Sequence, residues 1–140
     1  MKRKTNFFEK LLPSVINLVL ISLVTYLIVC IFHVNTLLNI QILFVSIAFI
    51  YNLGIAIFNK NRCLGMIIVG TNWNQNYPVK QRVIYAILYT LSYTTVVFYI
   101  LFPFDLLIIN LLFLQLPFVI LKRTTLHGYL SGNMCTIIEK

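Results

Sequence analysis

Residues 83–121 hold a single charged side chain, Asp105, in a run of 39 residues. As one helix that run would be about 58 Å long at 1.5 Å per residue. The hydrocarbon core of a bilayer is about 30 Å thick, so the run has to turn back on itself. Phe102-Pro103-Phe104-Asp105 supplies the break, with a proline near the middle and the only acid of the run. Two further apolar runs precede it, over 11–32 and 36–58. Sixty per cent of the chain is hydrophobic and 10% is charged, against about 25% charged in an ordinary soluble domain. A small domain leaves too much surface exposed to hide that excess, and a bilayer is its natural solvent. The expected fold is an all-α membrane protein with transmembrane helices over 11–32, 36–58, 83–102 and 105–121. The last is short for a full span and calls for little tilt or a locally thinned bilayer.

Charge sets the orientation. The net charge is +8, and the eleven basic residues fall in three clusters. Lys2, Arg3, Lys4 and Lys10 precede the first span; Lys60, Arg62, Lys80 and Arg82 lie between the second and third; Lys122, Arg123 and Lys140 follow the fourth. The connections His33-Val34-Asn35 and Pro103-Phe104-Asp105 hold no Lys or Arg. By the positive-inside rule the basic side is cytoplasmic, which places both termini there, in a multi-pass protein of the cell membrane. A three-span arrangement would move Lys122 and Arg123 to the other face. The same clusters attract anionic lipid head groups, so the bilayer and its acidic lipids are the expected partners. Nucleic acid is not, because no folded polar surface is present to carry a basic patch. The basic N-terminus followed by an apolar run resembles a signal peptide, but the run is too long and ends in no small-x-small site; a retained first helix is expected. Cys30, Cys63 and Cys135 have neither disulfide nor metal-site spacing and are expected as thiols.

The chain reads as one domain over 1–140, with a cytoplasmic loop at 59–82. In that loop Met66-Ile67-Ile68-Val69 sits between Gly65 and Gly70, rich in β-branched residues, and reads as a short strand. Met134-Cys135-Thr136-Ile137-Ile138 reads as its partner, giving a cytoplasmic β-hairpin or strand pair. Trp73 and Tyr77 read as interfacial anchors.

Polar residues recur inside the apolar runs. Ser14, Asn17 and Thr25 share a face of the first; Asn39, Gln41, Ser46 and Asn52 lie in the second; Tyr85, Tyr89, Ser92 and Tyr99 form a stripe in the third; Asn110 and Gln115 lie in the fourth. They read as interhelical hydrogen bonds, worth about 0.6 kcal/mol each on average, or else as a polar path for a solute. Ser92, Asn110 and Gln115 are the candidate intramembrane contacts. His127 reads as a hydrogen-bonding group at the bundle end, and His33 as a loop residue. Pro117 frees the carbonyl of Phe113, which Gln115 is placed to satisfy. Catalytic, metal and cofactor sites are not expected. With three acids in all, there is no paired carboxylate, no nucleophile set and no phosphate-cradling glycine loop.

Three stretches carry a likeness to a known family. Lys122-Arg123-Thr124-Thr125-Leu126-His127-Gly128-Tyr129-Leu130-Ser131-Gly132 resembles the closing motif of the RDD family of small bacterial membrane proteins, in which basic residues precede T-L-H-D and then A-G-T. Lys60-x-Arg62-Cys63-Leu64-Gly65-Met66-Ile67-Ile68-Val69 resembles the family's G-K-x-x-x-G-I-R-V-V segment, and Arg82 falls near the arginine that opens the next helix. Lys10 and Asn17 have the seven-residue separation of the family's R-x-x-A-x-x-x-D. The family-motif positions are thus Lys10, Asn17, Arg62, Gly65, Arg82, Arg123, His127, Gly128 and Gly132. The family is named for one arginine and two aspartates; here those positions read Lys10, Asn17 and Gly128. The resemblance implies a membrane domain, and for some relatives sodium/proton exchange, a chemistry that needs a titratable group at membrane depth. With both carboxylates replaced, the expected function is a non-enzymatic scaffold or accessory subunit meeting a membrane partner or its own copies. The alternative is a small transporter or ion/proton exchanger.

Overall fold

The computed structural model describes residues 2–58, 62–98 and 115–139. They form β1 (Lys2–Lys4), α1 (Phe7–Phe32), α2 (Leu37–Phe58), α3 (Leu64–Val69), β2 (Thr71–Trp73), α4 (Val79–Phe98), α5 (Leu116–Lys122), α6 (Leu126–Leu130) and β3 (Thr136–Glu139). The chain is mostly helical, with one small three-stranded sheet.

Two helices, α1 and α2, are long and apolar enough to cross a bilayer. Much of their apolar surface faces outward: Val19, Leu23, Ile31, Ile50 and Phe58 are each exposed by more than half. The buried faces are rich in polar and small residues: Asn17 and Thr25, beside Pro13 and Ile21, on α1; Gln41, Ala48, Asn52 and Ala56 on α2. Glu9 starts α1 by accepting the Asn6 N–H at 2.8 Å, and His33 ends it in the left-handed region at φ 51°. The tightest helix pair is α2 with α4. Ala48, Ala56 and Ala86 are all buried and let the two backbones approach, and the Asn52 Nδ2 donates to Thr90 Oγ1 at 3.2 Å.

At the opposite end of α1 from His33, three distant segments meet in the sheet. β3 is central and antiparallel to both neighbours, in the order β1-β3-β2. Lys4 lies opposite Ile137, and Trp73 opposite Thr136. Thr5 extends the first pairing by donating its backbone N–H to the Thr136 carbonyl at 3.1 Å. The two ends of the chain and the connection between α2 and α4 therefore lie together.

The strand expected at 66–69 is instead the second half of helix α3, and the chain enters β2 one residue later. Gly70, at φ 75°, returns its N–H to the Ile67 carbonyl and stops the helix. The four-residue run was too short to tell a strand from a helical turn. Leu64, Ile67 and Ile68 face out while Gly65 and Met66 face in, a helical spacing. The tail accordingly pairs with 71–73 and with the N-terminus, in three strands rather than two. Tyr77 is not a surface anchor: it is buried, and its hydroxyl accepts the Cys135 N–H at 3.0 Å. The expected hairpin at 102–105, Asn110, Phe113, Tyr99 and the side chain of Ser92 lie outside the described residues.

Candidate functional site

The sheet end of the bundle holds a partly open cavity of about 100 Å³. Its walls come from α1, α2, α3, α4, β2 and the segment 124–136. Four of the family-motif positions, Lys10, Asn17, Arg82 and His127, border it, and Gly65, Arg123 and Gly128 bond to its walls.

Asn17 is the hub of the α1 wall. It is buried, and its Oδ1 accepts the Gly65 N–H at 3.0 Å and the Tyr51 hydroxyl at 3.1 Å, while Nδ2 donates to Cys63 Sγ at 3.0 Å. Tyr51 in turn accepts the Leu64 N–H at 3.2 Å. One amide on α1 thus satisfies the first turn of α3, whose N-terminal donors have no helical partners of their own. Gly65 makes the docking possible. A Cβ there would lie 2.2 Å from the Pro13 carbonyl oxygen, so only glycine lets α3 sit this close to α1.

Lys10, one turn before Ser14, donates its Nζ to the Arg123 carbonyl, tying α1 to the end of α5. Arg123 is exposed and in the left-handed region at φ 57°, so it contributes its backbone rather than its charge to this contact. Arg82, in the first turn of α4, lines the cavity. Arg62 is exposed, next to the Cys63 cap of α3. Gly132 follows α6 at φ 103°, against the Gln81 side chain.

His127 lies on the far wall. Its ring packs against both Tyr85 and Tyr89, at 4.9 and 5.1 Å, and those two rings stack on each other at 5.7 Å. Its Nε2 lies 3.1 Å from the Tyr85 hydroxyl, and Tyr85 also bonds the Thr125 side chain. Burial and then the nearby positive charge of Lys10 lower its pKa to about 3, so the ring is neutral at pH 7. Nδ1 is buried and meets no protein partner. Trp73 packs edge-on against Tyr85 at 5.0 Å, which makes it a wall of this site. Tyr77 at the margin has its pKa raised by burial, against the opposing effect of the Cys135 N–H.

Gly128, the second aspartate position of the resemblance, has no room for a side chain. A Cβ would lie 2.6 Å from Thr124 Oγ1 and 2.8 Å from the Met134 carbonyl. Met134 returns its N–H to the Gly128 carbonyl at 2.8 Å, and Thr124 donates to the Met134 carbonyl at 2.6 Å, so the loop closes around the glycine. Gln115 Oε1 accepts the Leu126 N–H at 3.2 Å, and the expected contact with the residue 113 carbonyl lies outside the described residues. The three cysteines are free, and no cluster of metal-ligating side chains is found among the described residues.

Two contributors escaped sequence reasoning. Thr71 lines the cavity with its hydroxyl fully buried and without a partner, and Cys63 serves as a hydrogen-bond acceptor rather than a reactive thiol. A lone threonine beside Gly70 carries no periodic signal, and the pairing of residues 17 and 63 is set only by tertiary packing. Comparison with family models, with curated proteins and with solved structures finds no match.

Proposed function

We propose that the chain is a four-span membrane protein on the RDD plan, with both termini cytoplasmic, acting without catalysis as a scaffold or accessory subunit. The observation that carries the topology is the sheet. It joins residues 2–4, 71–73 and 136–139 at one end of the bundle. If α1 and α2 each cross a bilayer, they make one round trip from that end. The chain then leaves it again in α4 and is back by Lys122, whose neighbour Arg123 receives Lys10. The 20 residues of α4 rise about 30 Å, one bilayer core, which supports a returning span that ends in α5. The described Lys and Arg residues, from Arg3 to Arg123, lie at this end, and the 33–36 connection at the other end carries none. The positive-inside rule then makes the sheet end cytoplasmic.

The RDD plan is supported by convergence. Lys10, Asn17, Gly65, Arg82 and His127 come from separate parts of the chain and build one cluster. The non-catalytic reading is supported by what replaces the aspartates: Asn17 is consumed in structural hydrogen bonds, and Gly128 closes a loop.

Topology is tested by placing a single cysteine at Asn35 or at Asn74, in a chain with Cys30, Cys63 and Cys135 replaced by serine, and labelling intact cells with an impermeant maleimide. Labelling at 35 and protection at 74 is expected; the reverse result overturns the orientation. The role is tested by native mass spectrometry of the protein extracted gently with its own membrane. A defined complex with other chains is expected. A lone monomer or homo-oligomer would instead favour the small transporter, and flux assays in liposomes would decide it.

A further inference from the structure

Helix α3 has no polar side chain. Its six residues, Leu64–Val69, are glycine or apolar. Gly65 and Met66 are buried, while Leu64, Ile67 and Ile68 face outward, and Ile68 is 68% exposed. These three positions, at i, i+3 and i+4, share one face of the helix. A helix turned towards water carries polar residues on its outer face; here that face is wholly apolar.

The depth of α3 follows from where it docks. Gly65 rests on Pro13, and its N–H bonds Asn17 Oδ1. Pro13 lies 19 residues and Asn17 15 residues back from Phe32 along α1, about 28 and 22 Å at 1.5 Å per residue. With the 33–36 turn at the outer edge of a hydrocarbon core about 30 Å thick, both fall inside it, roughly 2 and 8 Å from the inner edge. Tilting α1 would carry both deeper. The other attachment agrees: the Leu64 N–H bonds the hydroxyl of Tyr51, which lies 14 residues from Leu37 in α2, about 21 Å from the same outer edge. The exposed α1 residues beside Pro13, Leu12 and Val15, are apolar as well. The backbone of α3 suits this depth. In lipid, every backbone donor needs a partner within the protein, and the first-turn donors of Leu64 and Gly65 find theirs on the two long helices instead of in water. Gly70 then ends the helix and turns the chain into β2 and the sheet.

We infer that α3 is a re-entrant helix that lies in the acyl layer of the cytoplasmic leaflet, with Leu64, Ile67 and Ile68 against lipid tails. This rests on the membrane reading proposed above and refines it: residues 64–69 dip into the bilayer from the connection between α2 and α4. The partner is the hydrocarbon of the leaflet and not its head groups. Six apolar residues are far too few to span, so the helix enters and leaves on the same side, and its outer face continues the exposed apolar surface of α1.

The test is the depth of a spin label on the full chain in phosphatidylcholine liposomes. Cys30, Cys63 and Cys135 are replaced by serine, which at 63 keeps an acceptor for Asn17, and single cysteines are placed by Ile68→Cys, Ile67→Cys, Val19→Cys and Asn74→Cys. Collision of each label with oxygen, which concentrates in hydrocarbon, and with a water-soluble nickel chelate, which hydrocarbon excludes, is read by electron paramagnetic resonance. Val19 is the reference within a span and Asn74 the reference in the exposed connection. Labels at 67 and 68 are expected to favour oxygen, as at 19, with chelate collision several-fold lower than at 74. Position 68 is the most exposed of the outer face, so a label there displaces no packed side chain. Labels at 67 and 68 that meet the chelate as freely as at 74, while 19 stays in hydrocarbon, would overturn the lipid placement of α3 and leave the membrane reading standing. Shielding of 67 and 68 from both reagents would put protein against this face and overturn it equally. Free access of the chelate to 19 would overturn the membrane reading itself, and the inference with it.

Discussion

Replacing Gly65 by alanine measures how closely α3 must sit on α1. The added Cβ would lie 2.2 Å from the Pro13 carbonyl oxygen and 2.8 Å from Pro13 C and Cα. All three are backbone atoms of a helix and cannot rotate aside. To bring the shortest of these contacts to 3.0 Å, α3 has to withdraw by about 0.8 Å. That lengthens the Gly65 N–H bond to Asn17 Oδ1 from 3.0 Å beyond useful range. Overpacking of this kind costs about 1–3 kcal/mol, and a lost buried hydrogen bond adds about 1 kcal/mol. The expected loss is about 2–4 kcal/mol. Gly54→Ala is the control: its Cβ would meet nothing within 4 Å, and in mid-helix the change should stabilise by about 0.5–1 kcal/mol. Both variants are unfolded in the same micelle by SDS titration, followed by circular dichroism. The maleimide reaction of Cys63, which caps α3, is timed alongside and should quicken in Gly65→Ala. If Gly65→Ala unfolds within 0.5 kcal/mol of wild type and Cys63 reacts no faster, the close approach of the two helices is wrong.

Acid should weaken the fold through His127. Its folded pKa, about 3, lies below the unfolded value of 6.5, so the unfolded chain binds the extra proton. The contribution is complete above pH 6.5 and is lost as pH falls towards 3. Relative to His127→Gln, wild type should lose stability with a slope that steepens from about 0.7 kcal/mol per pH unit at pH 6.5 to about 1.4 near pH 5; parallel curves would show that the ring is not held neutral against Lys10, Tyr85 and Tyr89. The Asn52–Thr90 bond between α2 and α4 should give a coupling of about 0.6 kcal/mol in a double-mutant cycle with Asn52→Ala and Thr90→Val, and a coupling near zero would remove it as a contact. Gly128→Asp should destabilise the sheet end by about 1–3 kcal/mol through overpacking against Thr124 and Met134, measured by the same SDS titration; a neutral result would mean that the loop can reopen.

Much of the architecture is legible in the sequence because bilayer-length apolar runs admit few readings. The expected spans 11–32 and 36–58 match α1 and α2 at their C-terminal ends, and α1 begins four residues earlier, where Glu9 caps it. The short elements were harder. Ile67, Ile68 and Val69 favour a strand by propensity, yet Gly70 and the docking of Gly65 on Pro13 make a helical turn; tertiary contact overrode local preference. The strand Lys2–Lys4 carries three positive charges and no alternation, so nothing local marks it. It exists because Ile137 and Ile138 offer it an edge. The cluster was legible only as a set of motif positions. That Asn17 reaches Tyr51, Cys63 and Gly65, or that Thr71 completes the cavity, depends on how α1 crosses α2 and α3, which spacing along the chain does not encode.

The two positions that the proposed RDD plan would give to aspartates, Asn17 and Gly128, are different kinds of site. At Asn17 the side chain must both accept and donate: Oδ1 takes the Gly65 and Tyr51 donors, and Nδ2 gives to Cys63 Sγ. A carboxylate there could keep both accepted bonds and would lose one weak donation to sulfur, so the pocket remains compatible with an acid. At Gly128 the backbone itself has closed: Thr124, Thr125 and Met134 occupy the volume that a first side-chain carbon would need. Restoring both acids is therefore not a symmetric experiment. Asn17→Asp can be read for a gained charge, whereas Gly128→Asp must be read first for lost structure. An absence of cation/proton exchange in the double variant would carry no weight unless the protein were shown to be folded. The same closure leaves no room for a carboxylate at Gly128, so the charge felt by His127 is the positive one of Lys10.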